Sequence, residues 1–142
     1  MCEARIPVAF CWKHFLELAE DLANNKEEEA KLRAAISRAY YAAFCNARNY
    51  MLDNDHNNFP PEMKDHHKYL VQYFKGELEE SKVDDLDETR KIIGKDLNSM
   101  RHDRRKVDYE NYVSDLEKMD KTVTDVLKRA RRVILKIERG GF

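Results

Sequence analysis

The chain has 142 residues, 37% of them charged and 42% hydrophobic, with a formal net charge of -1. That length suits one domain with one core, and the charge balance excludes a globally basic chain, so any affinity for nucleic acid has to come from a local patch. No apolar run reaches the roughly 20 residues that span a bilayer, and the start "MCEARIPVAF" lacks the apolar stretch of a signal peptide. Cys2, Cys11 and Cys45 have neither the even count of a disulfide framework nor the spacing of a zinc site, so a cytoplasmic protein with reduced thiols, no membrane span, no metal and no cofactor is expected.

Only four Gly and three Pro punctuate the chain, and the apolar spacing is helical nearly throughout. Trp12, Phe15, Leu16, Ala19 and Leu22 form a first stripe that ends at "ANNKEEE". A second, longer helix is predicted from about Glu28 to Leu52, along Leu32, Ile36, Ala39, Tyr40, Ala43, Ala47, Tyr50 and Met51. Tyr41 and Phe44 widen that stripe, so contact on more than one side is expected. "DNDHNNFPPE" stops this helix, and Pro60-Pro61 suits the start of the next. Met63, His67, Leu70 and Phe74 set the third stripe, which fades near Gly76. "SKVDDLDE" reads as a capped start to a fourth helix with Leu86, Ile93, Leu97 and Met100 on its core face. Tyr112, Leu116, Met119, Val123, Val126, Ala130, Val133 and Ile137 mark a last helix of about seven turns. The expected fold is all-α: a single domain over residues 1–142, an up-and-down bundle of about five helices with the second and last paired in the core.

The chemistry concentrates in "MRHDRRKVDYE", residues 100–110, which reads as the junction into the last helix, with Asp108 as its N-cap and Tyr109 packing beside it. Arg101, Arg104 and Arg105 offer planar donors for a phosphate or nucleotide. The plainer reading pairs them with Asp103, Asp108, Glu110 or acids of neighbouring helices. Arg38, Tyr40 and Tyr41 lie on the second helix. Adjacent residues on a helix point about 100° apart, so one tyrosine is expected inside and the other against a second helix or a dimer partner. A buried Tyr hydroxyl needs a hydrogen-bond partner, for which Arg38 or the region of Arg101 is the candidate. Lys128, Arg131 and Arg132 of "KRARRVILK" are either an RNA-facing patch or a solvated helix end that suits the dipole. His66-His67 has the wrong spacing for a shared metal.

Two segments, "LRAAISRAYYAAFCNARNYM" (residues 32–51) and "LNSMRHDRRKVDYE" (residues 97–110), with "HHKYLVQYF" between them, resemble the HEPN domain family (higher eukaryotes and prokaryotes nucleotide-binding). The resemblance covers most of the chain from about Phe10 onward. It implies a bundle of four to five helices that commonly dimerises. Many relatives act beside a small nucleotidyltransferase in toxin–antitoxin or defence pairs. Active relatives are metal-independent ribonucleases, in which an Arg is followed after four to six residues by a His near the start of the last long helix. The His moves the proton of the attacking 2′-hydroxyl, and the Arg stabilises charge on phosphate.

That signature is absent here. Arg48 and His56 are too far apart, Arg101 and His102 are adjacent, and Arg104 with Asp108 stands at the corresponding place. An ionised Asp repels phosphate. In some relatives a Tyr beside the motif is modified by the partner enzyme, a role not carried firmly onto Tyr109. Two functions follow as expectations. The first is a non-catalytic HEPN interaction module, a homodimer that works with a small nucleotidyltransferase or binds nucleotide or RNA through Arg101, Arg104, Arg105, Asp108, Tyr109 and Arg38. The second is a metal-independent ribonuclease toxin with a rearranged site of Arg101, His102 and Arg104.

Overall fold

The computed structural model describes residues 10–55, 59, 64–78, 87–113 and 115–142. These form five α-helices packed together, with no strand among the described residues: α1 (Lys13–Ala23), α2 (Glu29–Asp55), α3 (His66–Lys75), α4 (Glu88–Tyr109) and α5 (Leu116–Arg139). Three begin on the aspartate caps that helix starts favour. Asp65, Asp87 and Asp115 accept from the backbone N–H of Lys68, Thr89 and Lys118 at 2.9, 2.7 and 2.8 Å. Gly76 ends α3 in the left-handed conformation, φ 69°. The Glu77 N–H then bonds the Gln72 carbonyl at 2.9 Å, a closure that needs a residue without a Cβ.

Helix α2 is the centre of the bundle. It packs against α1, α5 and α4, and more lightly against α3. The breadth of its apolar face is thereby used within the chain: Tyr40, Ala42, Ala43, Phe44 and Cys45 are all buried. The expected pairing of the second and last helices is present, with Met119, Val123, Val126 and Ala130 of α5 buried in the same core. Helix α3 comes close to α4 at Gly94, where a Cβ would lie 2.8 Å from Lys75 Cγ and 3.3 Å from the Lys75 backbone nitrogen.

One polar clamp crosses this core. Asp96 of α4 is 2% exposed. It accepts from Arg132 Nε and Nη2 at 2.7 Å each and from Arg129 Nη1 at 3.2 Å. A buried carboxylate is tolerated because both oxygens are met by forked, charged donors from α5. Arg131 pairs with Glu20 at 3.4 Å. Two of the three cations singled out in "KRARRVILK", Arg131 and Arg132, therefore serve the chain's own carboxylates, while Lys128 remains exposed.

The chain departs from the sequence reading at the end of α4. "MRHDRRKVDYE" is not the junction into the last helix but the C-terminal part of α4, and Asp108 lies inside that helix. The last helix starts at Leu116 on the cap of Asp115, so Tyr112, 94% exposed, is not one of its core residues. The reason is that Met100, Arg104 and Val107 continue the buried face of α4 for two more turns. Arg33 of α2 then holds the exit, donating through Nη1 to the carbonyls of Val107 (2.9 Å) and Glu110 (2.7 Å) and through Nη2 to that of Asn111 (3.3 Å). Cys45 is a free, buried thiol, and Cys2 lies outside the described residues. Pro60-Pro61, Met63, Leu86 and most of "SKVDDLDE" also lie outside them.

Candidate functional site at the junction of α2, α3 and α4

Arg101, Arg104, Arg105 and Asp108 fall at i, i+3, i+4 and i+7 on α4, which puts them along one side of the helix facing the start of α3 and the middle of α2. Arg104 goes deepest. Its side chain is 9% exposed, and its guanidinium carbon lies 5.5 Å from the ring centres of both Tyr40 and Tyr41. Cation–π contact of this kind is worth roughly 1–2 kcal/mol when desolvated. Its Nη1 donates to Asp108 Oδ2 at 3.4 Å, and Ser37 Oγ donates to the same oxygen at 3.5 Å. Arg101 turns toward α3, where its Nη2 donates to Asp65 Oδ2 at 2.7 Å. The Nε–H groups of Arg101 and Arg104 are buried and have no hydrogen-bond partner among the described residues.

The partner of the Tyr40 hydroxyl is neither Arg38 nor Arg101 but His67 of α3, whose Nδ1 lies 2.6 Å away. The His67 ring stacks on Phe44 with centroids 4.3 Å apart. Burial drives its pKa from 6.5 down to about 4, and the charges of Arg104 and Arg101 push the same way against the weaker pull of Asp65. Burial likewise raises the Tyr40 hydroxyl far above the ordinary tyrosine value, although Arg104 and Arg101 oppose it. At neutral pH the phenol therefore keeps its proton and the imidazole is neutral, and in the Nε2–H tautomer the phenol donates to Nδ1. Burial raises the Asp65 carboxyl, but the Lys68 N–H, Arg101, His67 and Arg105 together outweigh it and hold Asp65 below the usual carboxylate range.

The remaining predicted residues scatter around this cluster. Arg38 lies over the rings of Phe15 (5.0 Å) and Tyr41 (5.5 Å) and donates to Ser37 Oγ at 3.5 Å. His102 and Arg105 are exposed and, with Arg101, Asn98, Ser99 and Asp103, line an open cleft of about 350 Å³. His102 stands two residues from Arg104, about 200° around the helix, so the two do not converge. Tyr109 ends α4, 77% exposed. Spacing along the chain gave no Arg–His pair, yet the fold brings His67 beside Arg101 and Arg104. Three residues of this cluster were not among the sequence candidates: His67, which is a histidine on an otherwise apolar stripe, Asp65, an N-cap, and Ser37 of α2. Among the described residues, no group of three or more His, Cys, Asp or Glu side chains is positioned to hold a metal ion, and no helix is long and apolar enough to cross a membrane.

The chain matches the HEPN domain over residues 13–139 and belongs to that family. No curated protein and no solved structure matches it.

Proposed function

We propose that this chain is a non-catalytic HEPN module. In this reading it binds phosphate groups of a nucleotide or RNA along the second half of α4, acts as a homodimer, and works beside a small nucleotidyltransferase in a toxin–antitoxin or defence system. The observation that carries the binding role is the open cleft lined by Arg101, Arg105 and His102, with Asn98 and Ser99 as neutral donors and Asp103 as its one acid. Forked guanidinium donors at the rim of a polar cleft suit phosphate oxygens. The homodimer and the nucleotidyltransferase partner rest on family membership.

The chemistry of the cluster argues against cleavage. A general base works best with a pKa near the operating pH, whereas His67 is held at about 4 with its Nδ1 occupied by Tyr40. Arg104 is turned inward over two aromatic rings and tied to Asp108. One observation favours the alternative of a metal-independent ribonuclease: His67 stands beside Arg104 and Arg101 in space, and His102 shares the cleft with Arg101. In that reading His67 or His102 would move the proton, and Arg101 or Arg104 would meet the phosphate.

The binding reading is tested by fluorescence anisotropy with single-stranded RNA across a salt series. The plot of log affinity against log salt should have a negative slope. It should become shallower by about 0.7 for each phosphate contact removed in Arg101→Ala and Arg105→Ala. Absence of binding at low salt, or a slope unchanged in both variants, contradicts it. Sedimentation of the purified chain tests the dimer; a monomer at high micromolar concentration contradicts that part.

A further inference from the structure

We infer that Asp65 is a built-in competitor for the phosphate ligand of the α4 cleft: its carboxylate occupies Arg101, and ligand binding displaces it. The inference rests on the phosphate-binding reading and names how that site is regulated. The two oxygens of Asp65 have separate tasks. Oδ1 accepts from the Lys68 N–H at 2.9 Å and caps α3, while Oδ2 accepts from Arg101 Nη2 at 2.7 Å. Arg101 can therefore be released without uncapping the helix.

The geometry is that of an exchangeable contact. The Asp65 side chain is 39% exposed and that of Arg101 19% exposed, so the pair sits at the edge of the site with water at hand. A pair whose acid faces water is weakly held, and a phosphate group with its larger charge can displace it. Arg101 Nε beside it is buried and has no hydrogen-bond partner among the described residues. The Asp65 carboxylate uses one end of the guanidinium and leaves that donor idle, whereas a phosphate group can take a fork of two. Arg105, on the same side of α4, also feels the Asp65 charge. A carboxylate at this point thus lowers the positive potential of the cleft, and its removal raises it.

The test uses Asp65→Asn, because Asn caps a helix about as well as Asp while losing the charge. Wild type, Asp65→Asn and the double variant Asp65→Asn/Arg101→Ala are titrated against a fluorescent oligouridylate and, separately, uridine monophosphate at low salt. The expected result is an affinity gain of about threefold to tenfold in Asp65→Asn for whichever probe carries the fitting phosphate. The gain should shrink as salt rises and be lost in the double variant. Circular dichroism of Asp65→Asn should match wild type. Equal binding by wild type and Asp65→Asn overturns the competitor role while leaving the phosphate-binding reading intact. Failure of both to bind either probe overturns both.

Discussion

Acidification should destabilise this protein through one imidazole. His67 has a pKa of about 4 in the folded chain against an ordinary 6.5, because its ring is buried against Phe44 and two arginines stand near it. Between these values the unfolded chain binds more protons than the folded one. Stability from this group is thus complete above pH 6.5 and is lost as pH falls toward 4. The gap of about 2.5 pH units sets a ceiling of roughly 3 kcal/mol at 1.36 kcal/mol per unit. Residual solvent access to a half-buried ring reduces this to about 1–3 kcal/mol. In the protonated ring Nδ1 is a donor, so the Tyr40 hydroxyl can then only accept from it. The comparison is with His67→Gln, whose amide oxygen can still accept from Tyr40 but does not titrate. Urea denaturation followed by circular dichroism at intervals from pH 4 to 7.5 should give a rising curve for wild type and a flatter one for the variant. Two parallel curves, or an NMR titration that places the His67 ring near 6.5, would refute the reasoning.

Three further outcomes follow from the packing. Asp96→Ala should lower stability by about 1–3 kcal/mol in thermal or urea denaturation; it empties the α4–α5 clamp, but Arg129 and Arg132 can still reach water. Gly94→Leu should cost about 1–3 kcal/mol, because its side chain would meet the Lys75 backbone of α3, and substitution by Ser should cost less. Arg33→Ala should speed amide hydrogen exchange at the end of α4 and in residues 110–113 while leaving α5 protected, since three carbonyls there lose their shared donor.

Local patterns carried the helices well, and long-range partners decided what they missed. The stripes along α2 and α5 were legible because Leu32, Ile36, Ala39 and Tyr40, or Met119, Val123 and Val126, repeat at helical spacing and are all buried. The boundary at Asp108 was misplaced because Asp-Tyr looks locally like a cap, whereas Met100, Arg104 and Val107 carry the buried face of α4 through it and Arg33, 77 residues from Glu110, holds the exit. Arg101 and Arg104 were legible as site residues from their chemistry. Their nearest partners were not. Asp65 reads as a helix cap, and His67 reads as one position of an apolar stripe. The meeting of His67 with Tyr40, 27 residues away, is a product of how α3 lies across α2. Tyr41, the second tyrosine, does share a contact with Arg104, which the 100° offset anticipated only as packing against a second helix.

On the proposed function, this HEPN domain holds phosphate without cutting it. The most direct measurement incubates the purified chain with unstructured RNA in EDTA and follows the strand on a denaturing gel. No cleavage above the buffer control is expected at protein concentrations that bind the RNA. Cleavage by the wild type that is abolished in folded His67→Gln or His102→Ala would contradict it and make the chain a ribonuclease.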